Sequence, residues 1–210
     1  MTNAVIVGAG ANGEVYNSYL REAGVQVAGF LDDTEAKQGT SVCGVPVLGK
    51  TELIETLSGI DALYAPLGNN RARVEFHTRA RRAGLKTPNY IHPSVVISPD
   101  VVIGEGVYIK PGSLVQPHVV IDDDVMIAMN VSISHHSHLC AGVFLASGTI
   151  VGAKLTIEQC AYVGLGVTIV SDKARTIGED ALIGAGSVVL ADVEPRTVVA
   201  GVPARVLRRI

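Results

Sequence analysis

The sequence predicts two domains of different class: a small Rossmann-like α/β domain over residues 1–88, then a parallel β-helix of hexapeptide repeats over residues 89–210. Three observations carry this. An aliphatic residue recurs at every sixth position from Ile91 to Ile169 without a miss. An apolar run, AVIV at 4–7, leads into the glycine-rich stretch Gly8-Ala9-Gly10-Ala11-Asn12-Gly13. In KTPNYIHP, between Lys86 and His92, the alternation of apolar runs with helical stretches gives way to the period of six. At 210 residues, 48% hydrophobic and 18% charged, the chain has a globular composition with room for both parts.

In the first part, residues 4–7 read as a buried strand and Val15 to Ala23 as an amphipathic helix ending at Gly24. VQVAGFLDD reads as a second strand finishing at Asp32 and Asp33, about twenty residues beyond the glycine turn. DALYAPLG (61–68) supplies another strand and Arg71 to Ala83 another helix, so there is room for about four strands, half of a full dinucleotide fold. Glycines at this turn permit close backbone approach, and the following helix offers unpaired N–H groups to a diphosphate. That geometry suits a nucleotide joined to a sugar; the other reading of the turn is that it packs helix against strand.

In the second part, the aliphatic series Ile91, Ile97, Ile103, Ile109, Val115, Ile121, Ile127, Ile133, Leu139, Leu145, Val151, Ile157, Val163 and Ile169 resumes after a two-residue slip at Ile177, Ile183 and Val189. A small or β-branched residue follows four positions after most of them, as at Val119, Val125, Val131, Ser137 and Val143. Neither an ordinary helix nor a hairpin has period six. A short strand and a sharp turn every six residues close a triangular coil, three walls per turn of the chain. A purely structural scaffold of this kind tends to show one monotonous polar face, whereas the turns here vary and carry a histidine cluster.

Net charge is −3 with no basic tract, and aromatics make up 4%, which argues against nucleic acid or an anionic membrane as partner. The N-terminal stretch has no signal-like features and no apolar run reaches spanning length, giving the expectation of a cytoplasmic protein. Cys43, Cys140 and Cys160 are an odd count without CxxC spacing, so neither a disulfide framework nor a cysteine zinc site is expected.

Five of the six histidines lie in the second part, and His135, His136 and His138 fall within four residues. His135 and His136 sit at the turn of the hexad that begins at Ile133. With eighteen residues per coil, His118 falls one coil below His136 and Lys154 one coil above. Stacked cationic groups favour neutral imidazole, the form that acts as a general base.

The order IVGAGANGEV, GFLDD, LGNNRAR, histidine-bearing β-helix and AGVPAR resembles, across the whole chain, the hexapeptide-repeat sugar O- and N-acetyltransferases, a group that includes sialic acid O-acetyltransferases and perosamine N-acetyltransferases. The resemblance implies a left-handed helix, a homotrimer with active sites between subunits, acetyl-CoA as cosubstrate, no metal, and an NDP-sugar acceptor, most simply a 4-amino-4,6-dideoxyhexose acetylated for surface glycan synthesis. It implies that Ala11, Asn12 and Gly13 face the sugar nucleotide, that Asp32 and Asp33 meet the base or ribose, and that Gly68 lines the same pocket. His135 falls on the catalytic base. His136 stands where the family has its acidic partner, so a carboxylate would have to come from Asp122, Asp123 or Asp124 across the trimer cleft, and His136 or His138 is the second choice of base. Phe144, Leu165 and Ala185 would line the pantetheine groove, and Arg205, with Arg208 and Arg209, would meet the CoA phosphates. The other readings are sialic-acid-type O-acetylation, a non-catalytic NDP-sugar binder, and a metal-dependent β-helix enzyme; the H-x4-H pair of γ-class carbonic anhydrases does not occur in this chain.

Overall fold

A computed structural model describes residues 2–210, and their contacts divide the chain between Asn89 and Tyr90. The first unit opens with strand β1 (Asn3–Val7), followed by helix α1 (Ala11–Glu22), strand β2 (Gln26–Leu31), the short strands β3 (Ser41–Val42) and β4 (Val45–Gly49), strand β5 (Ala62–Tyr64) and helix α2 (Asn70–Arg82). The sheet order is β3-β4-β2-β1-β5, parallel except for the β3–β4 hairpin. Strand β1 lies between β2 and β5, and its Ala4, Val5 and Ile6 have no solvent exposure, as expected of a run flanked by parallel strands.

Two features differ from the sequence reading. The sheet has five strands because residues 41–49 double back as a hairpin whose second strand pairs with β2. Helix α1 begins at Ala11 rather than Val15, with Gly10 as its N-cap. The reason is close packing. A Cβ built on Gly13 would lie 2.0 Å from the Gly8 carbonyl oxygen, so only glycine lets the first turn of α1 sit directly on the end of β1. Packing of helix against strand is therefore one job of the glycine turn.

The second unit is a left-handed β-helix. Each coil lays a two-residue strand in each of three walls. The first wall runs from Val96–Ile97 to Val188–Val189, the second from Val102–Ile103 to Thr176–Ile177, and the third from Tyr90–Ile91 through Leu182–Ile183 to a terminal hairpin. Residues eighteen apart pair in parallel, as Val120 with His138 and Ile121 with Leu139, at a spacing of about 4.8 Å per coil. The hexad aliphatics and the residues four positions later fill the interior, from Ile109 to Val189, nearly all with no exposure.

The inward polar positions carry their own partners. Ser137 Oγ donates to the Gly152 carbonyl at 2.9 Å and accepts from Leu155 N–H at 3.2 Å, tying the histidine turn to the coil above. Every coil must bend sharply at its corners, and from Gly106 to Gly186 the fourth residue of the hexad does so with positive φ. Glycine takes this place at 112, 142, 148 and 166, and His118, Asp124, Asn130, His136, Lys154 and Cys160 take it elsewhere with φ between 56° and 61°.

The two-residue slip forms an outward loop. Beyond it Thr176 pairs with Thr156, twenty residues away, and Asp192 accepts the N–H groups of Arg175 and Thr176 at 2.6 and 3.0 Å. The described residues finish as an antiparallel hairpin, Thr197–Ala200 with Arg205–Arg209, so the terminal arginines lie on a strand. No described helix is long and apolar enough to cross a membrane.

Leu145 is fully buried inside the coil. Leu145→Ala should lower stability by about 2–5 kcal/mol, read from the shift of the urea midpoint; an unchanged midpoint would mean the interior of the prism relaxes freely.

Candidate functional site

Three groups of side chains correspond to the expectations above. In the first unit, the ends of β1, β2 and β5 meet where parallel sheets of this type hold ligands. Asp32 is the organiser. Its carboxylate accepts the Ala9 N–H at 2.8 Å and the Thr34 N–H at 2.9 Å, and pairs with Lys37 Nζ at 2.9 Å. Burial acts to raise its pKa, but Lys37 and the hydrogen bonds from Thr34 and Ala9 outweigh it and hold the carboxyl well below the usual range. Asn12 donates to the Pro66 carbonyl, so α1 and the 65–69 loop are joined. Gly68, on that loop, is exposed, and a Cβ there would meet nothing within 4 Å. Ala11 is exposed at the first position of α1, whereas Gly13 is buried against Gly8. Asp33 differs from its neighbour. Both its oxygens engage Thr51, accepting from the N–H at 2.8 Å and the hydroxyl at 2.9 and 3.0 Å, which secures the start of the 3-10 helix Thr51–Thr56.

Two residues that the sequence reading left unassigned hold this loop from below. Arg73 is completely buried and donates to the Leu67 carbonyl at 2.6 Å and Asn70 Oδ1 at 3.0 Å. His77, also completely buried, accepts the Ala65 N–H on Nε2 at 3.2 Å. The arginine lies inside LGNNRAR, and the signal available for it was a charged residue on the inner face of a helix, one turn beyond the N-cap Asn69.

The second group is the corner between the first and second walls. His135 and His136 are both exposed there. Their Nδ1 atoms lie 3.0 Å apart with the rings nearly perpendicular, at 89°. Gln116 Oε1 accepts the His135 N–H at 3.1 Å, and the Lys154 N–H donates to the His135 carbonyl at 3.0 Å, so the turn is held from both adjacent coils. The His118 ring lies 4.7 Å from that of His136, the vertical column read from the eighteen-residue spacing. Loss of hydration around the ring lowers the His136 pKa, and His118, His135 and Lys154 lower it further.

The carboxylates take other places. Asp122 Oδ2 lies 2.9 Å from Nε2 of His138 in the same chain, Asp123 accepts the Glu105 N–H at 2.8 Å, and Asp124 is buried at a corner. The chain thus contains a His–carboxylate pair, at His138 on the second wall and not at His135. It was findable: His138 and Asp122 are diagonal neighbours on successive coils, both pointing outward by the period of two. Cys140 brings a third donor atom within 4.8 Å of both. Its half-buried thiol is pushed up by burial, then by Asp122 and Glu158. His138 Nε2 is engaged by Asp122, with the Cys140 thiol beside the pair.

The third group is on another edge. Leu165 and Ala185 are exposed residues stacked at the corner after the third wall, where the Gly186 N–H donates to the Leu165 carbonyl at 2.7 Å. Phe144 lies on that wall, its ring stacked on Tyr162 at 5.0 Å and 13°. Arg205 is exposed in the terminal hairpin. Within one chain, the histidine corner and this edge are different edges of the prism.

Comparison with known proteins covers both units. A family model described as the PglD N-terminal domain matches residues 3–80. The structure of PerB from Caulobacter crescentus, solved with CoA and GDP-perosamine, is 31% identical, with a TM-score of 0.90 over 99% of this chain and 98% of that one. The acetyltransferase domain of PglB from Neisseria gonorrhoeae is 30% identical, with a TM-score of 0.76 over 99% of this chain and 100% of that one. The galactoside O-acetyltransferase of Escherichia coli (strain K12) is 37% identical over 81 residues, 39% of this chain and 39% of that protein. A second curated relative gives a similar span, so the chain matches about two fifths of the length of these curated relatives.

Gly13→Ala should destabilise the first unit by about 1–3 kcal/mol or more, while Gly68→Ala should leave thermal unfolding unchanged; equal effects would contradict the packing contrast. Asp32 sets a pH dependence. A carboxyl held below its unfolded value of about 4 contributes stability that is present above that pH and lost as pH falls through the folded value. Unfolding midpoints should therefore drop as the medium is acidified below about pH 4, and Asp32→Asn should flatten that part of the profile; parallel profiles would remove Asp32 from this role.

Proposed function

The chain belongs to the hexapeptide-repeat sugar acetyltransferases, and we propose that it transfers the acetyl group of acetyl-CoA to the 4-amine of a nucleotide-linked 4-amino-4,6-dideoxyhexose, with His135 as general base. The observation that carries this reading is the exposed His135 corner, held by Gln116 and Lys154, in a chain that aligns end to end with a protein solved with CoA and GDP-perosamine. In the proposed reaction the amine attacks the thioester carbonyl and an N–C bond forms. His135 Nε2 accepts a proton from the attacking nitrogen, and backbone N–H groups stabilise the oxyanion. Collapse breaks the C–S bond, and the imidazolium returns its proton to the departing thiolate, giving the amide and free CoA.

In this reading the N–H groups around Ala11 and Asn12 at the start of α1 receive the diphosphate, and Gly68 leaves the loop open beside it. Gly13, Asp32 and Asp33 act by shaping the pocket. Phe144, Leu165 and Ala185 form the pantetheine groove, and Arg205 meets the CoA phosphates with Arg208 and Arg209. Because the histidine corner and the groove lie on different edges of one prism, the active form is a homotrimer in which one chain's base serves the neighbour's groove. Exposed Val96, Leu114 and Ile150, aligned up the first wall, support such packing. The enzyme would act in the cytoplasm, in surface glycan synthesis.

The similarity to a galactoside O-acetyltransferase favours, as a second reading, a sugar hydroxyl as acceptor. Release of free CoA from acetyl-CoA, measured with a panel of UDP-, GDP- and dTDP-linked 4-amino sugars, free sialic acid and galactosides, separates the two. Turnover confined to a 4-amino sugar would support the first reading, and turnover confined to a hydroxyl acceptor the second. Silence across the panel, from protein that still binds a nucleotide sugar by calorimetry, would overturn both. With the active acceptor, His135→Ala should lower turnover by at least about 100-fold while leaving oligomeric state and nucleotide-sugar binding intact; retained turnover would move the base elsewhere.

A further inference from the structure

We infer that His136 is the hydrogen-bond acceptor that fixes the tautomer of His135, a neutral ring doing the orienting work that acid–base pairs usually give to a carboxylate. The inference deepens the reading of His135 as base and rests on it. A neutral imidazole carries one N–H. If Nε2 of His135 is to take a proton from the attacking nitrogen, the N–H must be on Nδ1, and that N–H needs an acceptor. Nδ1 of His136 is 3.0 Å away with its ring nearly perpendicular, so two neutral rings complete one N–H···N bond. A protonated His136 would instead turn an N–H toward His135.

The surroundings work against that charged form. The His118 ring lies 4.7 Å away on the coil below, Lys154 stands at the same corner on the coil above, and His135 is in the same turn. On the adjoining wall, the Asp122 carboxylate is paired with His138. The backbone also fixes where the ring stands. His136 has φ of 59°, the corner conformation it shares with His118 at 61° and Lys154 at 60°, and this stacks the three side chains while setting His136 against His135.

A neutral acceptor differs in kind from a carboxylate. It selects the tautomer without adding a negative charge, so it does not raise the proton affinity of His135 as an aspartate would. Asn and Asp tolerate the left-handed conformation and Gly adopts it freely. His136→Asn keeps a neutral acceptor, His136→Asp introduces a charged one and His136→Gly removes it, all three on one backbone. His136 is thus a positioning residue whose role can be separated from folding.

The deciding experiment is nitrogen-15 NMR of the intact, histidine-labelled protein, which reads the tautomer of His135 without any sugar substrate. The expected result is the Nδ1–H form in wild type and His136→Asn, lost in His136→Gly. An Nε2–H tautomer in wild type, or an unchanged signal in His136→Gly, would overturn the inference. In the CoA-release assay, kcat should fall at least about tenfold in His136→Gly with KM unchanged, and recover in His136→Asn. In His136→Asp the acid limb of kcat/KM should move to higher pH, because an adjacent carboxylate favours imidazolium. If His135→Ala stays active, the base reading fails whatever the NMR shows; if His135→Ala is inactive while His136→Gly keeps full kcat, only the present inference fails.

Discussion

The structure of the second unit depends on one constraint: a parallel ladder in which every strand finds its partner eighteen residues away, so that each corner must turn within the same few residues on every coil. The ladder satisfies the backbone, and the interior residues at the first and fifth positions of the hexad exclude water. What remains is the corner. A chain that bends this sharply needs a residue in the left-handed region, and glycine is the inexpensive solution. Where the sequence instead places histidine or lysine there, conformational strain is accepted at positions whose side chains project outward and stack at the rise of one coil. The chemistry of His118, His136 and Lys154 follows from that constraint.

The first unit obeys a different rule. Its sheet brings three strand ends together, and Asp32 converts that convergence into a defined surface by gathering the Ala9 and Thr34 amides and the Lys37 ammonium. Arg73 and His77 do the same for the 65–69 loop from beneath. Buried polar groups of this sort are costly unless fully partnered. Here they hold loops, which have little apolar surface of their own with which to pack.

The sequence was most legible where one physical demand repeats. The period of six made the walls, the interior positions and the column of His118, His136 and Lys154 readable, because each coil tests the same pattern again. It was less legible where a demand is met once. Nothing in residues 41–49 repeats, and their hairpin went unseen. The start of α1 was placed four residues late because amphipathic periodicity begins at Val15, whereas close approach of Gly13 to Gly8 sets the actual start. The Asp122–His138 pair lay hidden for another reason: the two are sixteen apart, and the reading followed vertical neighbours rather than diagonal ones. Arg73 went unassigned because burial of an arginine is set by the loop folded over it.

The outward loop at Ser171 to Lys173 shows how this architecture handles change. Upstream, coils close in eighteen residues; across the loop, Thr156 meets Thr176, twenty away, and the walls on either side continue in register. Ala174 keeps its place in the interior, so the core does not sense the extra length. A corner is therefore a junction at which chain can be added without altering what lies inside. Lengthening there would reshape the outer surface along one edge alone, the edge that carries His118, His136 and Lys154 on the coils below, leaving the other two edges where they stand. Such a fold can alter what borders its histidines without disturbing the coils that hold them.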